Sequence, residues 1–279
     1  MTAVPERPVI TFLSDYGLRD EFVGVCHGVI ATICPGARVI DVSHGIPRHD
    51  VRAGALVLQA TLPYLPVGVH LAIVDPDVGA ERRAVALRLA DDRLLVGPDN
   101  GLLSLAAELA GGVVEAVDIA HSEFRLEPVS ATFHGRDIFA PVAARLACGT
   151  PIALAGEPCD PDELVRIELP RHRVEDGAVV AHVLQVDRFG NLGLDVEHQD
   201  LPGLGLKLGH GVAIETASGD SLPALYVRTF ADVGRGELLL YEDSYRRLAI
   251  AVSHGDAAGR LAIAAGDELR IRSGGATGE

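Results

Sequence analysis

Positive charge is scarce in this chain: 24 Lys and Arg stand against 39 Asp and Glu, a formal net charge of -15. Binding along a phosphate backbone needs clustered Lys and Arg, so nucleic acid is not an expected partner, whereas a soluble enzyme or a cationic ligand suits the balance. No stretch approaches the roughly eighteen consecutive apolar residues that a membrane span requires. Met1 to Pro8 carries Glu6 and Arg7 and no apolar run, so neither a signal peptide nor a membrane partner is expected, and the predicted location is cytoplasmic. The four cysteines, Cys26, Cys34, Cys148 and Cys159, form no Cys-x-x-Cys pair. They read as buried reduced thiols, not as a disulfide framework or a zinc site. Gly-x-Gly-x-x-Gly, a phosphate-binding loop and His-Glu-x-x-His are also missing, which removes the usual dinucleotide, nucleoside-triphosphate and zinc-protease readings.

What the 279 residues do contain is apolar material, 48% of the chain, without a single tryptophan. That suffices for one large core or two ordinary ones. The most informative stretch is Leu71 to Arg83. An apolar run ends at Val74-Asp75-Pro76, and Gly79 permits a tight reversal before Arg82. Proline disfavours the helical region for its predecessor, so Asp75 is extended at a strand's end, and a carboxylate and a guanidinium can face each other across the turn. A structural ion pair closing the turn and a functional pair both fit these residues.

Val9 to Leu13 reads as a buried strand emptying into Ser14-Asp15-Tyr16-Gly17. Asp20 is a candidate cap for a helix through Ile33, on which His27 reads as solvated or packed, and Pro35-Gly36 stops it. Arg38 to Val42 is a second strand, followed by a helix from about Asp50 to Leu62, a strand at Val69 to Val74 and a hairpin from Arg83 to Val96. Gly97 to Gly101 is a polar loop, a helix lies near Leu102 to Leu109 and a strand near Val113 to Ile119. Asp137 is a candidate cap for a helix to Cys148, with His134 in the loop before it. This rhythm predicts an α/β domain with a mostly parallel sheet and helices on both faces. Ligands then sit outside the carboxyl ends of the strands, where Asp15, Asp75, Arg82, Asp99, Asn100 and His134 would converge.

From Thr150 to Asp176 the periodicity fades into a segment rich in Pro, Asp and Glu, read as a linker. The seven short runs that follow it are separated by glycine turns and predict an all-β barrel or sandwich. The expected domains are 1–170, α/β, and 177–279, β-barrel-like.

Ser14-Asp15-Tyr16-Gly17, Val74-Asp75-Pro76 with Val78-Gly79 and Arg82, Gly97-Pro98-Asp99-Asn100-Gly101, Phe133-His134-Gly135-Arg136-Asp137 and Asp187-Arg188-Phe189-Gly190-Asn191 together resemble the S-adenosyl-L-methionine hydrolases, or hydroxide adenosyltransferases, relatives of the fluorinase and chlorinase. The likeness spans about residues 9 to 255. It implies cleavage of S-adenosyl-L-methionine to adenosine and L-methionine by water or hydroxide at the ribose 5′ carbon. No cofactor and no metal is implied, and the assembly would be a homotrimer with active sites between subunits. It implies Asp75, Arg82 and His134 as the catalytic set, with Asp15 on the ribose hydroxyls, Asp187 on the methionine amino group, Asn191 on the adenine and Ser244 on the methionine carboxylate. Tyr16 and Phe133 would wall the nucleoside, with a core role the alternative for Phe133. Tyr245-Arg246-Arg247 and Ser253-His254-Gly255 depart from the family pattern. Three alternatives are a chlorinase-like halogenase, a non-catalytic nucleoside-binding protein and a metal hydrolase using Asp15, Asp75, Asp77 and His134. Halogenases of this group carry a tyrosine where Asp75 stands, and a carboxylate there would repel a halide.

Overall fold

A computed structural model describes residues 8–274. The reading of the chain's start as leaderless rests on residues 1–7, which lie outside the described residues, as do 275–279. Two compact units divide between Ile167 and Glu168.

The first unit runs β1 (Val9–Ser14), α1 (Phe22–Ile33), β2 (Arg38–Ser43), α2 (Val51–Thr61), β3 (Val69–Ile73), β4 (Ala84–Leu89), β5 (Leu94–Pro98), α3 (Ser104–Leu109), β6 (Val113–Asp118), α4 (Ala140–Ala147) and β7 (Glu157–Pro158). The sheet order is β2-β1-β3-β5-β4-β6-β7. Strands β2, β1, β3 and β5 are mutually parallel, and β4, β6 and β7 extend the sheet antiparallel. The apolar runs are continuous because both faces are covered. Ile10, Phe12, Leu71 and Ile73 point to one side, against Cys26 and Ile30 of α1 and Val142 of α4. Leu13, Ala72 and Val74 point to the other, against Leu58 of α2 and Ala106 of α3. This alternation is the period-two geometry of a strand. Asp50 caps α2 by accepting from the Ala53 amide at 2.8 Å.

Two expected caps are corrected. The residue preceding α1 is Glu21, not Asp20, and its side chain makes no cap bond. Asp137 sits inside a turn of π-helix, Gly135–Phe139, that runs directly into α4. It is 1% exposed and accepts from Arg136 Nε at 2.6 Å, Arg136 Nη2 at 2.8 Å and the Ser130 amide at 2.8 Å. A buried carboxylate needs several donors, and Arg136 of the same turn and Ser130 of the preceding loop supply them.

The expectation of four reduced thiols is also corrected. Cys34 and Cys148, separated by 114 positions, form a disulfide with a Cα–Cα distance of 5.9 Å. They end α1 and α4, which pack side by side on one face of the sheet. Spacing along the chain carries no trace of that adjacency. Cys26 and Cys159 are free.

The second unit holds β8 (Arg173–Glu175), β9 (Ala178–Val186), β10 (Leu192–Glu197), β11 (Gly211–Thr216), β12 (Ser221–Tyr226), β13 (Leu238–Glu242), β14 (Arg247–Val252), α5 (Ala257–Leu261) and β15 (Glu268–Ser273). Its order is β10-β14-β13-β12-β11-β15-β9-β8, and pairing of β10 with β9 closes seven strands into a barrel. Closure leaves no open edge among those seven. Inward residues such as Val183, Leu194, Ile214, Leu240, Ile250 and Ile271 fill it.

Candidate active site

The turn after β3 carries the first half of the site. Gly79 has φ +85°, and a Cβ built there would stand 2.4 Å from the Ala131 carbonyl oxygen. Only glycine allows the turn to lie against the loop before the π-helical turn. That contact brings Arg82 to His134. Arg82 Nε donates to Asp75 Oδ1 at 3.0 Å and Oδ2 at 3.1 Å, and Arg82 Nη2 donates a short bond to Asp75 Oδ2. The same Nη2 lies 2.9 Å from His134 Nδ1. Both members of the ion pair are about nine-tenths buried, and the guanidinium stacks over the Phe139 ring at 5.3 Å. The fork geometry holds the carboxylate in one orientation.

A guanidinium can only donate, so His134 Nδ1 must accept and the ring's proton is on Nε2. The electrostatics agree. Burial holds the His134 pKa below its ordinary value and Arg82 adds to this, against opposing contributions from Asp75 and Asp137. His134 is therefore neutral near neutral pH.

Asp15 leaves the carboxyl end of β1. Its Oδ2 accepts the His49 amide at 2.9 Å, which is presented by a residue in the left-handed region, φ 65°. Tyr16 is walled by Phe12, Phe22 and Phe133 with ring centroids 5.7 to 6.4 Å away. Enclosure raises its pKa well above the ordinary phenol value, helped by Cys26, Asp15 and Asp75 and opposed by Arg82. It is a neutral hydrogen-bonding group. Asp15, Tyr16, Asp75 and His134 line one cavity of about 410 Å³, together with Arg48 and Thr132. Arg82 and His134 also line a neighbouring cavity of about 620 Å³. Of the sequence candidates in this unit, Phe133 packs on Tyr16 and under Arg136 at 5.2 Å without lining the smaller cavity.

Asp187, Asn191 and Ser244 line a single cavity of about 760 Å³ in the second unit. Asp187 Oδ1 accepts the Phe189 amide at 2.8 Å and the Asn191 amide at 3.0 Å, and Oδ2 accepts Asn191 Nδ2 at 2.8 Å. Gly190, φ +80°, makes this bend possible, since a Cβ there would stand 1.9 Å from Asp256 Oδ1. Phe230 and Tyr241, centroids 5.1 Å apart, form another wall. Sequence reasoning missed these two; Tyr241, two residues before the polar Asp243-Ser244 bend, was the available signal, and Phe230 offered none.

Two sequence candidates are not brought into the site. Asp99 accepts from Arg83 Nε at 2.8 Å and from the Val165 amide at 2.9 Å. Asn100 donates to the Val74 carbonyl at 2.8 Å and accepts the Leu102 amide at 3.2 Å. Both close the loop after β5. Missed in the other direction were His49, whose contribution is a backbone amide, and Arg48.

Family models add a second line of observation. The SAM hydroxide adenosyltransferase N-terminal domain matches residues 10–156, and its C-terminal domain matches residues 181–270. A curated (R)-S-adenosyl-L-methionine hydrolase from Salinispora tropica is 51% identical over 267 residues, covering 96% of this chain and 98% of the relative. A fluorinase from Actinoplanes sp. is 30% identical over 273 residues, covering 88% and 91%. The crystal structure of a conserved protein from Thermotoga maritima superposes with a TM-score of 0.87 at 37% identity, covering 94% of this chain and 99% of the other.

Proposed function

The chain belongs to the SAM hydroxide adenosyltransferase family, and from that premise we infer that it is an enzyme hydrolysing S-adenosyl-L-methionine to adenosine and L-methionine. The observation that carries the mechanism is the chain of contacts Asp75–Arg82–His134, in which Asp75 and His134 line the cavity shared with Asp15 and Tyr16 and Arg82 ties them together.

S-adenosyl-L-methionine is a sulfonium, so attack at the ribose 5′ carbon expels a neutral thioether and the leaving group needs no acid. The carbon–oxygen bond forms as the carbon–sulfur bond breaks, and its electron pair stays on sulfur. The demanding part is holding an oxygen nucleophile in line with that bond, and orientation of this kind can lower a barrier by roughly 7–11 kcal/mol. His134 Nδ1 is committed to Arg82, so this imidazole offers the nucleophile an Nε2–H and orients it. Asp75 has lone pairs beyond those engaged by Arg82 and can accept the oxygen's hydrogen bond, or its proton as the bond forms. Such help is usually worth about 100- to 10,000-fold. Arg82 sets the carboxylate and imidazole and adds positive potential for an oxygen developing negative charge.

Asp15 is read as the ribose-hydroxyl acceptor, Tyr16 as the nucleoside wall with Phe133 packed behind it, and Asp187, Asn191 and Ser244 as contacts to the methionine amino group, the adenine and the methionine carboxylate. The residues so assigned are divided between the two units. A homotrimer with active sites at subunit interfaces completes the reading, and light scattering on the purified protein tests it. A cytoplasmic location fits as well; among the described residues no helix is long and apolar enough to cross a membrane. The displacement is read as metal-independent, since a neutral leaving group needs no Lewis acid, and kcat should persist in a chelator.

Halide transfer is the second reading, kept because a fluorinase is among the relatives. Asp75 argues for oxygen: a carboxylate repels an approaching halide and accepts from water. Incubation with S-adenosyl-L-methionine, with and without chloride or fluoride, decides between them. Adenosine and methionine in equal amounts are expected. A 5′-halo-adenosine, or no product, overturns the assignment.

A further inference from the structure

We propose that His27, Asp41 and His44 form a site for one divalent transition-metal cation of the zinc or cobalt class, hydrogen-bonded through His44 to the loop that carries Asp15 and Tyr16. In a regular strand, residues three apart face opposite sides of the sheet. Here Phe12 pairs with Asp41 while Leu13 pairs with Ser43, so Val42 is an extra residue. Such a bulge re-aims the side chains beside it and lets Asp41 and His44 turn to the same place.

His27 reaches them from α1. Its Nε2 is 2.8 Å from Asp41 Oδ1, and His44 Nε2 is 3.1 Å from that same oxygen. The three ligand atoms all lie within 4.8 Å of one another. Two imidazoles thus converge on one carboxylate oxygen. The His44 side chain is 3% exposed, and its Nε2, 3.1 Å from Asp41 Oδ1, makes no hydrogen bond of good geometry among the described residues. A buried nitrogen aimed at a carboxylate and a second imidazole is the arrangement that a cation completes. Tetrahedral zinc with bonds near 2.0–2.2 Å would set ligand atoms about 3.3–3.6 Å apart, so the half-exposed Asp41 and His27 side chains need move only by some tenths of an ångström to accept it. Side-chain exposures of 36% at His27 and 43% at Asp41 leave a side open for water as the fourth ligand. Two imidazoles with one carboxylate favour zinc, cobalt or nickel over magnesium or calcium, which prefer all-oxygen sets.

The outer contacts fit the same role. His44 Nδ1 is 2.7 Å from Ser14 Oγ, the kind of partner that fixes a ligating imidazole's tautomer. That Oγ accepts the Tyr16 amide at 3.3 Å, and the His44 carbonyl accepts the Gly17 amide at 2.8 Å. A cation on Nε2 would hold His44, and with it Ser14 to Gly17. The cation is a brace for this loop and takes no part in bond making. Its effect on substrate rests on the hydrolase reading; the binding of the cation does not.

Metal-stripped full-length protein is titrated with zinc against a chromophoric chelator, and with cobalt while visible absorption is followed. One cation per chain is expected, with the intense cobalt bands of a four-coordinate site. His27→Gln and Asp41→Asn should each weaken binding at least about tenfold; both residues are half-exposed, so folding is retained, and circular dichroism verifies it. Zinc should lower KM for S-adenosyl-L-methionine and leave kcat unchanged. Binding that is unchanged in both variants, or that is no tighter than the scatter expected of unrelated surface histidines, overturns the site. Stoichiometric binding abolished by His27→Gln in a protein that does not turn over S-adenosyl-L-methionine would sink the hydrolase reading and leave the metal site standing.

Discussion

Arg82 Nη2 and His134 Nδ1 lie 2.9 Å apart, and because the guanidinium can only donate, this contact makes the imidazole an acceptor at one nitrogen and a donor at the other. Protonation of His134 would put two donors face to face. Burial first, then Arg82, lowers its pKa, so kcat/KM should stay flat as pH falls through the ordinary histidine value and decline only below it. Replacing Arg82 with methionine removes the second cause and should move that acid limb toward higher pH while also lowering kcat. A limb in the free enzyme at or above about 6.5 would mean that His134 is not held neutral in this way.

Gly135 leaves no room for any other side chain. A Cβ there would stand 2.1 Å from the Tyr16 hydroxyl, so Gly135→Ala must displace Tyr16 from the cavity wall. A rise in KM of tenfold or more is expected, with a smaller change in kcat. Because the clash is with the hydroxyl, Gly135→Ala combined with Tyr16→Phe should recover part of the loss, a coupling that a double-mutant cycle measures. Strict additivity of the two changes would refute the steric explanation.

Acid should destabilise the first unit through His70. This fully buried residue pairs in register with Thr11 and its Nδ1 lies 2.9 Å from the Thr11 hydroxyl. Burial, with Arg93 adding and Asp91 opposing, lowers its pKa from 6.5 to about 4. The unfolded chain therefore binds a proton at a pH where the folded one does not. Stability from neutral His70 is complete above 6.5 and is lost as pH falls toward 4, by about 3 kcal/mol in all. His70→Gln should flatten that part of the stability–pH curve in urea unfolding. An unchanged slope would show that His70 is not its source.

Thiol titration in denaturant without reductant should find two reactive groups of the four cysteines, Cys26 and Cys159, rising to four after reduction. Under native conditions Cys26 should stay silent, its pKa pushed up to about 12 by burial. Loss of the Cys34–Cys148 link, which closes a long loop, should cost roughly 4–5 kcal/mol on chain-entropy grounds. Four reactive thiols from the start would remove the disulfide.

Residues whose roles are set by near neighbours were legible in the sequence. The helix starting at about Asp50, the apolar run of β3 and the Asp75 turn all follow from patterns within a few positions. Asp75 facing Arg82 follows from one proline and one glycine. Asp99 and Asn100 have the residue types of a site but are consumed by closing their own loop, which depends on Arg83 and Val74 and cannot be read locally. Asp137 looks like a cap because it precedes a helix, yet a π-turn draws it inside, where Arg136 and Ser130 satisfy it. The Cys34–Cys148 link and the His27–Asp41–His44 cluster depend on α1 meeting α4 and on one extra residue in β2. No periodicity reports either.

The central claim is that Asp75, Arg82 and His134 direct a solvent oxygen onto the ribose 5′ carbon of S-adenosyl-L-methionine. Turnover in heavy-oxygen water, followed by mass spectrometry of both products, tests it most directly, with Asp75→Asn as the comparison. The prediction is one heavy oxygen in the 5′ hydroxyl of adenosine, none in methionine, and a loss of about 100-fold or more in the kcat of Asp75→Asn with little change in substrate binding. Label in methionine, no label in adenosine, or an Asp75→Asn enzyme as fast as the parent would contradict it.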